Sequence, residues 1–112
     1  MAGKFVMTKT NNGHLVVNLK AGNGEVILTS EFYKSKAEAN AGVADVRSSS
    51  KNDAQFERRT SKANEPFFSL KGTDGSYIGK SEMYTSEAGM ENGIKSVKNN
   101  APDATFVDDT GY

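Results

Sequence analysis

Leu15, Val17 and Leu19 alternate with Val16, Asn18 and Lys20, a period of two that predicts a strand with one apolar face. Ahead of it, Phe5-Val6-Met7-Thr8 reads as a short strand and Asn11-Asn12-Gly13 as a turn. Behind it come Ala21-Gly22-Asn23-Gly24 and then Glu25-Val26-Ile27-Leu28-Thr29. Asn-Gly between two apolar runs predicts a hairpin, since both residues tolerate positive φ. If Leu15, Val17, Leu19 and Ile27 face the interior, Val16, Val26 and Leu28 look the other way, unless the register slips by one residue. The period then changes. Ala39, Gly42, Val43 and Val46 recur at i, i+3, i+4 and i+7, a helix with a narrow apolar stripe. Ser35, three residues before Glu38, predicts a capping box at its start.

The whole succession returns. At an offset of 51 residues Leu70–Val97 lies on Leu19–Val46 without a gap. Roughly a quarter of the aligned positions are identical when the match is carried back to Phe5 and Phe56. Asp74-Gly75 takes the turn of Asn23-Gly24, and Ser86 takes the cap of Ser35. Glu87 stands in the first turn, at the positive end of the helix dipole. Met90, Gly93, Ile94 and Val97 repeat the apolar stripe. A glycine inside a helix costs about 1 kcal/mol against alanine, so one in both copies predicts a helix backbone close to the sheet. After each helix Ala54–Thr60 and Ala104–Thr110 match again, adding a strand. The unit is therefore β-β-β-α-β, about 4–55 and 56–110, with the strand near 54–60 shared. A unit this small buries too little surface alone, so residues 1–112 are read as a single pseudo-symmetric domain.

Composition narrows the chemistry. Lys plus Arg equals Asp plus Glu, for a formal net charge of zero. Nucleic-acid binding by phosphate neutralisation needs a basic surface, so nucleic acid is disfavoured as a partner. With no cysteine and one histidine, disulfides, thiolate chemistry and the usual zinc ligand sets cannot be assembled. No metal, cofactor or catalytic residue is assigned. The start of the chain lacks the apolar core of a signal peptide, no run is long enough to span a bilayer, and no N-x-S/T site occurs. The cytoplasm is the expected compartment.

LKAGNGEVILTSEFYKSK, the NGIKSV of the second helix and the roughly 50-residue duplication resemble the YegP-like family of small bacterial proteins, along nearly the whole chain. The resemblance implies an α+β fold. In it, two tandem β-β-β-α-β repeats form one antiparallel sheet, with two helices packed on one face and the terminal strands exchanged between repeats. Some relatives carry one copy and pair as dimers, which implies that the tandem chain is its own internal dimer. It implies no activity, the family being functionally uncharacterised. Ala41 in place of the asparagine at Asn92, and Gly72-Thr73 in place of Ala21-Gly22, depart from the motif.

The polar residues shared by both copies are Lys20/Lys71, Ser30/Ser81, Glu31/Glu82 and Ser35/Ser86, with Tyr33/Tyr84 beside them. Capping accounts for Ser35 and Ser86. At the Ser-Glu-x-Tyr corner, one reading is structural: Ser turns the chain, Glu pairs with Lys, and Tyr staples the helix start. The other has Glu31, Tyr33 and Lys20, and their twins Glu82, Tyr84 and Lys71, line two pseudo-symmetric pockets. Carboxylates without a histidine or a second close acid are poor general bases. Gly79-Lys80-Ser81 imitates the end of a P-loop, but Asp74 stands where its first glycine belongs. His14 reads as exposed, and Asp103, Asp108 and Asp109 lack the spacing of a calcium loop.

The second sheet face would carry Phe67 and Tyr77, with Lys20, Lys71 and Arg58 or Arg59 near them. Scattered surface apolarity, association through that face with a protein or a second copy, and stacking of single-stranded nucleic acid stay open for it. The expected function is a non-enzymatic interaction or accessory domain, with a protein partner, no membrane, and a monomer's internal pseudo-twofold. A ligand- or nucleic-acid-binding sheet is the alternative. An enzyme built on Glu31/Lys20 or Glu82/Lys71 comes third.

Overall fold

The computed structural model describes residues 3–111. Along the chain it has β1 (Lys4–Lys9), β2 (Leu15–Lys20), β3 (Val26–Ser30), α1 (Lys36–Ser49), β4 (Phe56–Thr60), β5 (Pro66–Lys71), β6 (Tyr77–Lys80), α2 (Glu87–Asn100) and β7 (Thr105–Asp108). One seven-stranded sheet results, in the order β4-β5-β6-β3-β2-β1-β7. The two repeats meet at β3 and β6, where Thr29 faces Lys80 and Ser30 faces Gly79. Every junction is antiparallel but the last: β7 lies parallel to β1, so the sheet is mixed. The terminal strand of the second repeat thus extends the first repeat, and β4, the strand after α1, pairs with β5 of the second.

The hairpin turns share one hydrogen bond. The N–H of Gly13, Gly24, Asn64 or Gly75 donates to the carbonyl three residues earlier, at 2.9–3.1 Å. That fourth residue has φ of 66–87° in all four turns. The expected Asn23-Gly24 hairpin is present, but among its two residues only glycine is left-handed, which marks a turn followed by a bulge. A second irregularity lies farther from the turn: the register shifts between Leu19 and Lys20, leaving Ile27 as an extra residue, and again between Leu70 and Lys71, whereas β1–β2 and β4–β5, with the same turns, run without a shift. This shift corrects the faces read from alternation. Ile27 and Leu28, neighbours in sequence, both enter the helix-side core. Leu28 was expected on the opposite face, and the bulge is why it is not.

Both helices cover the same face of the sheet, and one core joins Ala39, Val43 and Val46 of α1, Met90, Ile94 and Val97 of α2, and Phe5, Leu19, Phe68 and Leu70 below. Ser35 and Ser86 accept from the N–H groups of Glu38 and Gly89 at 3.1 and 3.0 Å, capping the two helices alike. Glu38 reaches back to the N–H of Lys34 rather than of Ser35. The two helix glycines have a more specific reason than nearness to the sheet. A Cβ on Gly42 would overlap the phenol of Tyr33, and one on Gly93 the phenol of Tyr84. Each tyrosine is half-buried against the core, and burial raises the pKa of both phenols.

On the pseudo-twofold the repeats cannot be identical. Gly79 occupies the position equivalent to Leu28, and a Cβ there would meet the Leu28 side chain at 2.9 Å. The interior has room for one leucine at this point, and the first repeat supplies it. The repeats also finish differently. Beside β7, the Arg47 guanidinium donates to the carbonyls of Ala101 and Pro102 at 3.2 Å and lies over the Phe5 ring. Lys36 pairs with Asp108 at 2.8 Å, holding that carboxyl down to a pKa of about 2.

At the other margin β4 has no strand outside it among the described residues. There Arg58 pairs with Glu91 at 2.6 Å and Asp53 at 3.3 Å, and Lys98 pairs with Asp53 at 2.6 Å. Arg58 is the counterpart of buried Met7. A charge directed toward the helix side is a known way of discouraging edge-to-edge pairing.

Candidate functional site

Ser30 and Ser81 are structural. Each accepts the N–H of a residue on the neighbouring strand, Val17 at 2.8 Å and Phe68 at 3.0 Å, and donates to the carbonyl of the following glutamate at 2.8 Å. These bonds fix how the chain leaves β3 and β6. Three residues after each serine it rejoins the neighbouring strand: Tyr33 exchanges backbone bonds with Leu15 at 2.7 and 2.8 Å, while Tyr84 donates to Pro66 at 2.9 Å. Tyr33 and Tyr84 therefore serve the helix start, with their rings committed to the core.

Lys20 and Glu31 do not share a pocket. Lys20 faces Val26 at the beginning of β3, whereas Glu31 follows its end, about 13 Å or more away at the rise of an extended strand. The same holds for Lys71, opposite Tyr77 at the beginning of β6, and Glu82 beyond its end. What the fold does bring together is the two corners. Glu31 and Glu82 border one groove of about 300 Å³ with Thr29, Ser30, Lys80 and Ser81. Neither glutamate has an ion-pair partner among the described residues. The expected Glu–Lys pairing at the corner is absent there. Phe32 and Met83, which follow the two glutamates, are 69% and 39% exposed.

The opposite sheet face is uncovered by either helix, and its aromatics are managed by cations. Arg59, not Arg58, is on it, opposite Phe67. Arg59 and Lys80 lie 5.5 and 5.4 Å from the Phe67 ring, leaving that residue 7% exposed. Tyr77, 43% exposed, lies near Arg59 and Lys71. Its hydroxyl donates to Glu57 at 2.7 Å, which raises the phenol's pKa and lowers the carboxyl's. Phe67 thus offers little ring surface for stacking, and Tyr77 more. Cation–π contacts of this kind let an aromatic pair face water.

No group of three or more His, Asp or Glu side chains suited to a metal ion occurs among the described residues. No helix among them is long and apolar enough to cross a membrane. The groove between Glu31 and Glu82 was missed in sequence reasoning because it depends on β3 meeting β6. The identical Ser-Glu pairs of the two copies were the available signal.

The family described as a domain of unknown function, DUF1508, matches residues 11–57 and 61–108, once per repeat. A UPF0339 protein of Acinetobacter baylyi is 46% identical over 99% of this chain and 100% of its own. The UPF0339 protein YegP of Escherichia coli O157:H7 is 44% identical over 98% and 100%. Among solved structures, the solution structure of the E. coli protein of unknown function yegP superposes with a TM-score of 0.94 at 43% identity, covering 100% of this chain and 97% of that one. A UPF0339 protein from Shewanella oneidensis gives 0.92 at 42%, covering 98% and 93%.

Proposed function

The chain belongs to the DUF1508 family, and we propose that it is a non-enzymatic interaction module holding a protein partner at the groove on its pseudo-twofold. One observation carries the reading: both repeats deliver to the same groove a carboxylate with no ion-pair partner among the described residues, each followed by an exposed apolar side chain. Exposed apolar side chains beside charged ones are the makings of a protein contact surface. A groove flanked by Glu31 and Glu82, with the Lys80 ammonium turned over the Phe67 ring, suits a partner that presents a basic side chain between two apolar ones. Of the other shared groups, Ser30, Ser81, Tyr33 and Tyr84 have folding duties, Ser35 and Ser86 cap the helices, and Lys20 and Lys71 lie at the far ends of β3 and β6, an arrangement that favours binding over a nucleophile and base pair. We place the module in the cytoplasm, since a chain without cysteine takes no stability from an oxidising compartment.

The test is a pair of double variants, Glu31→Lys with Glu82→Lys and Phe32→Ser with Met83→Ser, in pull-downs from cell extract. A protein retained by the parent chain and lost with both variants supports the reading. Equal retention by all three refutes it, and a metabolite that shifts the Glu31 and Glu82 amides in NMR spectra would make the groove a small-molecule site instead.

A further inference from the structure

The two margins of the sheet are built from equivalent parts and end differently. At one, β7 lies outside β1: Thr105 donates to the carbonyl of Gly3 at 3.3 Å, Asp109 donates to that of Met7 at 2.8 Å, and Lys36 grips Asp108. At the other, β4 does the work of two strands, as it both follows α1 and leads the second repeat. The position outside β4 is therefore taken by no described strand. A groove of about 250 Å³ remains there, bordered by Arg58, Arg59, Thr60 and Pro66 of the strands and by Glu87, Met90 and Glu91 of α2. A second groove on Thr60, Pro66 and Glu87 continues it past Asn64 and Ser86.

Equivalent positions say what would fit. Arg58 is the twin of Met7, so its carbonyl faces outward from β4 as that of Met7 faces β7. Glu87 is the twin of Lys36, the residue that holds Asp108. Arg58, which by the Met7–Asp108 register would stand beside that same position, has its charge already met by Glu91 and Asp53, whereas Glu87 has no ion-pair partner among the described residues. A second copy's β7 would set Asp108 against Glu87, like charge on like. A strand with a base at that place would complete the pair with its sign reversed.

We propose that the β4 edge accepts an extended segment of another protein, added parallel to β4 as an eighth strand, with a lysine or arginine opposite Glu87. Backbone bonds to the edge would give such a segment its hold, and the base at Glu87 its identity. Its surface is separate from the groove between Glu31 and Glu82, and neither reading depends on the other.

Isotope-labelled full-length protein is titrated with two synthetic peptides, at up to about 1 mM. One has the sequence of residues 103–110, and the other is the same peptide carrying Asp108→Lys. The lysine peptide is expected to shift the amides of Phe56–Thr60 and of the first turn of α2. It should bind more tightly than the parent peptide, up to about fivefold for one exposed pair. Glu87→Lys in the protein should reverse that order. Shifts at β1 and Lys36 instead, meaning that the peptide displaces β7, would overturn the proposal. So would shifts confined to the Glu31 and Glu82 corner, equal affinity of both peptides, or no response at β4.

Discussion

Alanine at Gly93 and alanine at Gly89 should have opposite effects, although both replace a glycine in the same helix. In a helix free of contacts either change gains up to about 1 kcal/mol of helical propensity. At Gly89 the new Cβ would lie 3.3 Å from the Ser86 hydroxyl and 3.6 Å from the Tyr84 ring. Its counterpart Glu38 already carries a Cβ there beside the same serine cap, so the gain should survive. At Gly93 the Cβ would overlap the Tyr84 hydroxyl, approach its Cζ to 2.7 Å, and lie 3.2 Å from fully buried Phe68. Overpacking of this kind costs about 1–3 kcal/mol, which exceeds the propensity gain and leaves a net loss of about 1 kcal/mol. For a small domain that is a melting temperature lower by roughly 5 °C. Thermal and urea melts followed by circular dichroism would read both variants against the parent. Adding Tyr84→Phe to Gly93→Ala should recover part of the loss, the ring carbon still being close. A Gly93→Ala protein that melts above the parent would refute the account of why both helices keep their glycine.

Further outcomes follow from the same geometry. Asp108→Asn should lower the melting temperature at neutral pH, with a gap that closes in acid. The carboxyl titrates near 2 in the folded chain against about 3.9 unfolded. Its stabilisation is therefore whole above about pH 5, and it fades as pH falls from about 4 toward 2. Arg58→Met restores at β4 the residue found at β1, and should produce concentration-dependent self-association in sedimentation or light scattering, removing the inward charge that keeps the β4 edges of two copies apart. Leu28→Gly should cost at least as much as a core Leu→Ala change, about 2–5 kcal/mol. Combining it with Gly79→Leu should recover much of that loss, because the leucine returns to the same space from the other repeat.

Local signals made most of this fold legible. Alternation at Leu15–Lys20, the glycines of the turns, Ser35 and Ser86, and the stripes through Val43 and Ile94 each act within a few residues, and the structure has their strands, turns, caps and helices. The side of the sheet taken by Leu28 was not legible, because the extra residue lies within β3 at Ile27, beyond the turn, in an unbroken apolar run where alternation leaves no mark of it. The partner of the helix glycines was half legible. Their repetition announced a close contact, but a tyrosine nine residues earlier gives no periodic sign of being it. The groove at Glu31 and Glu82 and the ion network of Arg58, Glu91, Asp53 and Lys98 join separate parts of the chain. Topology creates such contacts, and zero net charge says nothing of how charges are grouped.

The unlike residues on the pseudo-twofold have a consequence for how such a chain can change. Two separate identical subunits meeting there would each present the same letter, and both choices are poor: a pair of leucines collides, a pair of glycines leaves a hole. Covalent tandem copies escape that dilemma, since one can fill the centre while the other withdraws. Once they have done so, neither half would match itself as a partner, and returning to a dimer of single repeats would require redesigning the centre first.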